Sequence, residues 1–293
     1  MPLTFTPLHP HFGASVDGAD LRHPTRELVD AVDAAMNRYA VLVFRGQPLT
    51  QDEQIDFTRA FGELDLGFKR VSNTHTRLKH RELADISNVA EDGELAGRTH
   101  YRIVNNVANQ LWHSDSSFQN PPARYSMLHA VVVPPKGGTT EFADMRAAYD
   151  GLSDDLKQEI DGLLAEHFVL HSRVMLGDTG YSAEKAAALP RVLWPIVRTH
   201  DGSGRRHLFI GAHAAQVEGM TVPEGRLLLS DLLEHATQRE FVYEHAWQPG
   251  DLVIWDNRCT LHRGRRYDFS QRRELRRSTT LDRAYPVEVR QAA

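Results

Sequence analysis

Leu111-Trp112-His113-Ser114-Asp115 sets a histidine and an aspartate two residues apart. On an extended strand, side chains i and i+2 point to the same face. The stretch therefore predicts that His113 and Asp115 hold one metal ion between them. Such a pair needs a third ligand, and His262, in Trp255-Asp256-Asn257-Arg258-Cys259-Thr260-Leu261-His262, is the best candidate. Two imidazoles and one carboxylate on one face of an ion, with the other face open, suit non-haem Fe(II) chemistry. His-x-Asp is a weak signal in a chain with 16 histidines, so the surrounding sequence has to decide its meaning.

That sequence belongs to an ordinary globular chain. Its 293 residues allow one large domain or two small ones, and we expect a single domain spanning 1–293. A formal net charge of −5 gives no reason to expect a nucleic acid or an anionic membrane as partner. No apolar run approaches the ~20 residues of a membrane span. The start, Met1-Pro2-Leu3-Thr4-Phe5, lacks the basic-then-apolar pattern of a signal peptide. The single cysteine, Cys259, forbids an internal disulfide, excludes cysteine-based zinc sites and fits a reducing cytoplasm.

Outward from the His-x-Asp stretch the pattern is of short strands with helices around them. Thr25 is placed to cap a helix whose apolar face is Leu28, Val32, Met36 and Tyr39. Ala40 to Phe44 is a buried strand, and Thr50-Gln51-Asp52-Glu53 is a capping box opening a helix through Phe61, closed by Gly62. Residues 63–110 are polar and poorly periodic, which predicts a lid or insert over a site. Ser126 to Val133 is a strand, Lys136-Gly137-Gly138 a turn, and Thr139 to Phe142 the next extended piece. Leu156, Ile160, Leu163 and Leu164 share a helical face behind Ser153, and Leu228 to Ala236 is another helix. Val192 to Thr199, His207 to Ile210, Phe241 to His245 and Leu252 to Trp255 are strands. No glycine-rich phosphate loop and no Gly-x-Ser-x-Gly elbow appears. The prediction is a mainly β chain with flanking helices, in a jelly-roll barrel rather than a parallel α/β sheet.

Four stretches carry more than pattern: Val43-Phe44-Arg45-Gly46-Gln47-Pro48-Leu49, Asn109 through Phe118, Asp144-Met145-Arg146-Ala147-Ala148-Tyr149-Asp150, and Asp251 through Arg258. With them the chain resembles the taurine dioxygenase group of Fe(II)- and 2-oxoglutarate-dependent oxygenases, from about Leu8 to Asp282. The resemblance implies a double-stranded β-helix core of the clavaminate synthase-like type. It puts His113, Asp115 and His262 at the family's iron-ligand positions, with dioxygen as co-reactant. The carboxylate of Asp115 is absent from related halogenases, so its presence implies hydroxylation.

The resemblance also assigns the ligands around the metal. Arg273, eleven residues after His262, falls at the position that meets the distal carboxylate of 2-oxoglutarate. A guanidinium suits that task because its planar fork binds a carboxylate bidentately. Without the family, an arginine in Gln271-Arg272-Arg273-Glu274-Leu275-Arg276-Arg277 would be assigned to a solvated basic face. Thr140 matches the hydroxyl sharing that carboxylate, and Trp255 is placed to wall the pocket. Arg277 matches the arginine that pairs with the substrate's anionic group, and Asn109 a polar residue lining the substrate pocket. Arg70, with Lys69, would bring a further cation. His200, His213 and His235 could line the site, though structural roles are the simpler expectation, as is close packing for Cys259.

Within the family the nearest resemblance is to members that act on aryloxyacetates such as 2,4-dichlorophenoxyacetate. It implies hydroxylation of the ether-adjacent carbon, giving a phenol, glyoxylate, succinate and carbon dioxide. Another small anion, an alkylsulfonate or alkylsulfate ester, could use Arg277 equally well. A non-catalytic jelly roll binding a metal or small acid, and a zinc hydrolase with the same ligands, are the readings of other classes. The family also implies a homo-oligomer.

Overall fold

The computed structural model describes residues 2–67 and 76–290. β1 (Thr4–Pro7) and β2 (Ala14–Asp17) form an antiparallel pair at the start. Thr25 Oγ1 accepts the Leu28 N–H at 3.2 Å and opens α1 (Arg26–Tyr39), which leads into β3 (Val41–Phe44). Thr50 and Glu53 cap each other reciprocally at the head of α2 (Gln51–Arg59). This helix ends two residues short of Phe61. Its last turn tightens, with Phe61 N–H donating to Thr58 O and Gly62 N–H to Arg59 O.

The described residues of the polar stretch 63–110, which are 63–67 and 76–110, are more structured than their sequence pattern suggests. They contain β4 (Ala84–Ser87), α3 (Tyr101–Val107) and a 3-10 turn over Ala108–Gln110. These elements are held by charged side chains, which is why no apolar periodicity announces them. Asp85 receives both Arg77 and Arg102, and Glu91 receives Arg102.

β5 (Ala123–Val132) and β6 (Thr140–Asp144) follow, joined through Gly137 and Gly138 at φ +75 and +68. Next come α4 (Met145–Asp150), α5 (Asp154–Ile160) and β7 (Leu164–Phe168). Here the expected helical face through Leu163 and Leu164 is wrong. Asp161 is already extended and Gly162 is left-handed at φ +79, so the helix stops at Ile160 and Leu164 starts a strand. α6 (His171–Met175), α7 (Ala183–Ala187), β8 (Arg191–Pro195), β9 (Val197–Thr199), β10 (Arg206–Leu208) and β11 (Ala214–Val217) lead to α8 (Val222–Ala236). The chain closes with β12 (Val242–His245), β13 (Leu252–Asp256), β14 (Thr260–Gly264), β15 (Glu274–Leu281) and β16 (Val289–Arg290).

The main sheet has the order β1-β2-β3-β13-β5-β15-β4, and a three-stranded sheet has the order β12-β6-β14. β12 and β13 therefore belong to different sheets, and the Pro249-Gly250 turn carries the chain across. Alternation fixes which face of the main sheet meets its partner. Val41, Val43, Leu128, Ala130, Val253 and Trp255 point inward and pack with Phe142 of β6 and Leu275. Leu42, Phe44, Tyr125, Met127, Leu252 and Ile254 point outward, where Val32, Met36 and Phe57 of α1 and α2 cover them. The result is the double-stranded β-helix core that the sequence predicted. A further sheet, β11-β7-β8-β16, packs with α4 and α8 around Leu208, Ile210, Leu229 and Leu232. Among the described residues no helix is long and apolar enough to cross a membrane.

Candidate active site

Two histidines face each other across a single β-bridge at the barrel mouth. His113 N–H donates to His262 O at 3.1 Å, and His262 N–H to His113 O at 2.9 Å. His262 comes from β14, where pairing with Phe142 of β6 sets its direction. His113 and Asp115 were expected on a strand, but only His113 makes a bridge and the chain turns at once. The Asp115 N–H donates to the side chain of Asn257 at 3.1 Å instead of to a neighbouring strand. The i, i+2 relation nevertheless brings His113 Nε2 within 3.9 Å of Asp115 Oδ1, and His262 Nε2 lies 3.8 Å from Asp115 Oδ2.

These three residues are one of two such clusters among the described residues, each with donor atoms within 4.8 Å of one another. Their chemistry fits a divalent ion. His113 Nδ1 contacts Leu111 O at 2.8 Å, and donation there leaves Nε2 free as a ligand. Burial lowers the pKa of both histidines, which keeps them neutral. Burial alone would raise the Asp115 carboxyl, but the charge of Arg277 and the Ser126 hydrogen bond hold it at about 2. The other cluster, His200, Asp256 and Cys259, is already spent. Asp256 takes a bidentate pair from Arg258 (2.9 and 2.6 Å) and a hydrogen bond with His200 (3.0 Å).

Two open cavities meet at the triad. The first is lined by Thr140, Trp255, His262, Tyr267, Arg273 and Arg277 among others. Arg273 is 7% exposed and sits under the Tyr267 ring, 5.4 Å from its centroid. Its Nη2 donates to Gly138 O at 3.2 Å, and its Nε is buried without a partner. No carboxylate among the described residues pairs with it. Burial lowers its pKa to about 10, only partly offset by Tyr267. A buried guanidinium with an unpartnered Nε has the chemistry to receive a small carboxylate. Gly138 makes room for it, since a Cβ there would lie 3.1 Å from Arg273 Nε and 3.2 Å from Pro134 Cγ. Thr140 Oγ1 accepts a hydrogen bond from Trp247 Nε1 at 3.0 Å. Trp255 is 1% exposed, with its ring 4.5 Å from that of His262.

The second cavity, of about 410 Å³, is lined by His113, Asp115, Arg277, Asn109, Phe118, Val169, Leu170, Arg173, Tyr181, Ala212 and His213 among others. Asn109 and Arg277 border both cavities. Arg277, matched from the sequence to a partner for the substrate's anionic group, here donates through Nη1 to Asp115 Oδ1. Of the optional histidines, His213 does line the site, its ring 5.0 Å from that of Phe118. His235 contacts Ala148 O at 2.8 Å, away from both cavities. Cys259 is buried, which pushes its thiol pKa up. Arg70 and Lys69 lie outside the described residues. Trp247, Tyr267, Gly138 and Asn257 were missed. Asn257 stood in a quoted motif without a role, and Tyr267 was hidden in an arginine-rich turn.

Comparison with known proteins shows the family. The family described as "Taurine catabolism dioxygenase TauD, TfdA family" matches residues 4–279. An alpha-ketoglutarate-dependent 2,4-dichlorophenoxyacetate dioxygenase of Cupriavidus pinatubonensis is 62% identical over 285 residues, 97% of this chain and 99% of the relative. An (S)-phenoxypropionate/alpha-ketoglutarate-dioxygenase of Sphingobium herbicidovorans is 39% identical over 91% of each chain. The crystal structure of AAD-2 in complex with Mn(II) and N-oxalylglycine superposes with a TM-score of 0.89 at 45% identity, covering 97% of this chain and 99% of that one. Matched by fold, by nearly its whole length and by 2-oxoglutarate-dependent relatives, the chain belongs to the TauD, TfdA family of dioxygenases.

Proposed function

We propose that this protein is an Fe(II)- and 2-oxoglutarate-dependent dioxygenase that hydroxylates the ether-adjacent carbon of aryloxyacetates. The products are a phenol, glyoxylate, succinate and carbon dioxide. The observation that carries the reading is Arg273, a buried guanidinium with no carboxylate partner among the described residues, beside a two-histidine, one-carboxylate cluster. His113, Asp115 and His262 would hold the iron, which with 2-oxoglutarate and dioxygen supplies the oxidising power for the hydroxylation.

The chain's own groups do the rest. Arg273 takes the distal carboxylate of 2-oxoglutarate, Thr140 shares it, and Trp255 closes the cavity wall beside His262. Arg277, reaching both cavities, takes the acid of the substrate. Phe118, Val169, Leu170 and Ala212 give the second cavity an apolar side that suits an aryl ring better than a short alkylsulfonate. Holding acid and ring at opposite ends fixes the carbon between them opposite the triad. The hydroxylated product is a hemiacetal, which collapses to phenol and glyoxylate.

Residues 63–110 act as a cover in this reading. Asn106, Val107 and Asn109 of that stretch line the first cavity. We further propose one domain, a cytoplasmic location and a homo-oligomer, which sedimentation tests. The main experiment mixes anaerobic protein, Fe(II), 2-oxoglutarate and an aryloxyacetate, then admits oxygen. Succinate and phenol should appear together, one for one. Release of succinate with an alkylsulfate but not with an aryloxyacetate would replace the substrate assignment.

A further inference from the structure

Asn257 is 1% exposed and spends its whole amide on the site. Its Oδ1 accepts the Trp255 indole N–H at 2.9 Å and the Asp115 backbone N–H at 3.1 Å. Its Nδ2 donates to Ser126 Oγ at 2.9 Å. Its backbone carbonyl accepts Ser114 Oγ at 2.7 Å. Ser126, fully buried on β5, lies 2.7 Å from Asp115 Oδ2 and 2.9 Å from Thr279 Oγ1.

These bonds have a direction. Asp115 is ion-paired with Arg277, so its carboxylate only accepts. Ser126 has a single hydrogen and two possible neighbours for it besides Asp115. The Asn257 Nδ2 can only donate, so it blocks one alternative. The Asp115 carboxylate can only accept, so the Ser126 hydrogen goes to its Oδ2, and Thr279 is then the donor in its own contact with Ser126. The opposite end of the amide holds the indole of Trp255, whose ring packs 4.5 Å from that of His262.

We propose that Asn257 is a positioning residue that fixes the Asp115 carboxylate, through Ser126, and the Trp255 indole with one amide. It therefore ties the metal position to the wall of the cosubstrate cavity. The inference rests on Asp115 being a metal ligand.

Asn257→Asp reverses the relay at near-constant shape. A carboxylate there still accepts from Trp255 and from the Asp115 N–H, but it also takes the Ser126 hydrogen and strips Asp115 Oδ2 of its donor. The measurement is Mn(II) affinity, read by electron paramagnetic resonance of the free ion, with thermal unfolding as a check of folding. Asn257→Asp and Ser126→Ala should each weaken Mn(II) by about 10- to 100-fold, as loss of a partner behind a metal ligand does. The double variant should be no weaker than the worse single one. 2-Oxoglutarate affinity of the Mn(II)-saturated Asn257→Asp protein should stay within about threefold of wild type, because the Trp255 acceptor survives.

If Asn257 matters only by its charge or bulk, the new carboxylate attracts the cation and Mn(II) binds as well or better, which overturns the proposal. Additive losses in the double variant overturn it too. Should Asn257→Asp not fold, Ser126→Ala decides alone, and unchanged Mn(II) affinity there sinks the relay. His113→Ala separates the two levels. If it binds Mn(II) normally, the metal assignment has failed. If it loses the ion while Asn257→Asp does not weaken it, the failure belongs to Asn257.

Discussion

Arg273→Ala is the sharpest test of the cosubstrate cavity, because the structure sets its magnitude. A guanidinium ordinarily titrates above 12, and burial brings Arg273 down to about 10. A drop of more than two decades, at about 1.4 kcal/mol per decade, means that burial costs the charged form about 3 kcal/mol. The fold gives it only Gly138 O and the Tyr267 face in return. A carboxylate arriving at the free Nε can recover that cost through a charge-assisted pair worth about 2–5 kcal/mol. Removing the side chain should therefore weaken 2-oxoglutarate by about 100-fold. The assay is phenol formation against 2-oxoglutarate concentration, repeated with 2-oxobutyrate, which lacks the distal carboxylate and would leave propionate in place of succinate. Wild type should strongly prefer 2-oxoglutarate, and the variant should discriminate little between the two. Lys should restore only part of the preference, since an ammonium cannot offer the parallel fork. An unchanged preference in the Ala variant would refute the reasoning and move the role to another cation.

Replacing His113, Asp115 or His262 by Ala should abolish oxygen-dependent turnover and weaken Fe(II) binding, and one variant with normal activity would show the triad misassigned. Gly138→Ala forces a Cβ against Arg273 at φ +68, so it should cost about 1–3 kcal/mol in thermal unfolding and raise the 2-oxoglutarate requirement. Arg277→Ala should raise the aryloxyacetate requirement more than that for 2-oxoglutarate, and succinate should exceed phenol because a poorly anchored target carbon drifts from line. Equal amounts of the two products at normal affinity would exclude Arg277 from substrate binding. Native protein should leave the Cys259 thiol unreactive toward a disulfide reagent, with one thiol appearing in denaturant; reaction in the native state would contradict its burial.

How far the chain could be read without its structure follows from where each signal resides. The apolar run Val41-Leu42-Val43-Phe44 and the Thr50-Glu53 capping box are local, and the strand and the start of the helix stand where the sequence put them. The metal cluster was legible because His-x-Asp is itself short-range, although the strand invoked to explain it is a lone bridge. α3 was not legible, since it is held by Arg102 reaching Asp85 and Glu91 rather than by an apolar stripe. The partners of Asp115 were out of reach for another reason. Ser126, Asn257 and Arg277 are separated from it by 11, 142 and 162 positions, and only the closed barrel brings them together.

The pairing of Arg277 with Asp115 gives the site a charge logic that the sequence alone did not hold. Most other charges lining the two cavities have local opposites. Arg102 meets Asp85, Arg173 faces Asp178, and Arg265 lies 3.8 Å from Glu141. Among the described residues, what remains around the triad is one carboxylate, Asp115, and two guanidiniums, Arg273 and Arg277. Those leave one positive charge to the protein. A divalent cation raises it to three, the dianion of 2-oxoglutarate lowers it to one, and a monoanionic aryloxyacetate brings it to zero. An uncompensated charge is expensive in a buried site. The cation draws on Asp115 and repels Arg277, so metal binding should free the guanidinium for the one ligand that completes neutrality. By this reasoning a neutral ether of the same shape binds poorly for want of charge, even where its ring fits Phe118 and Leu170.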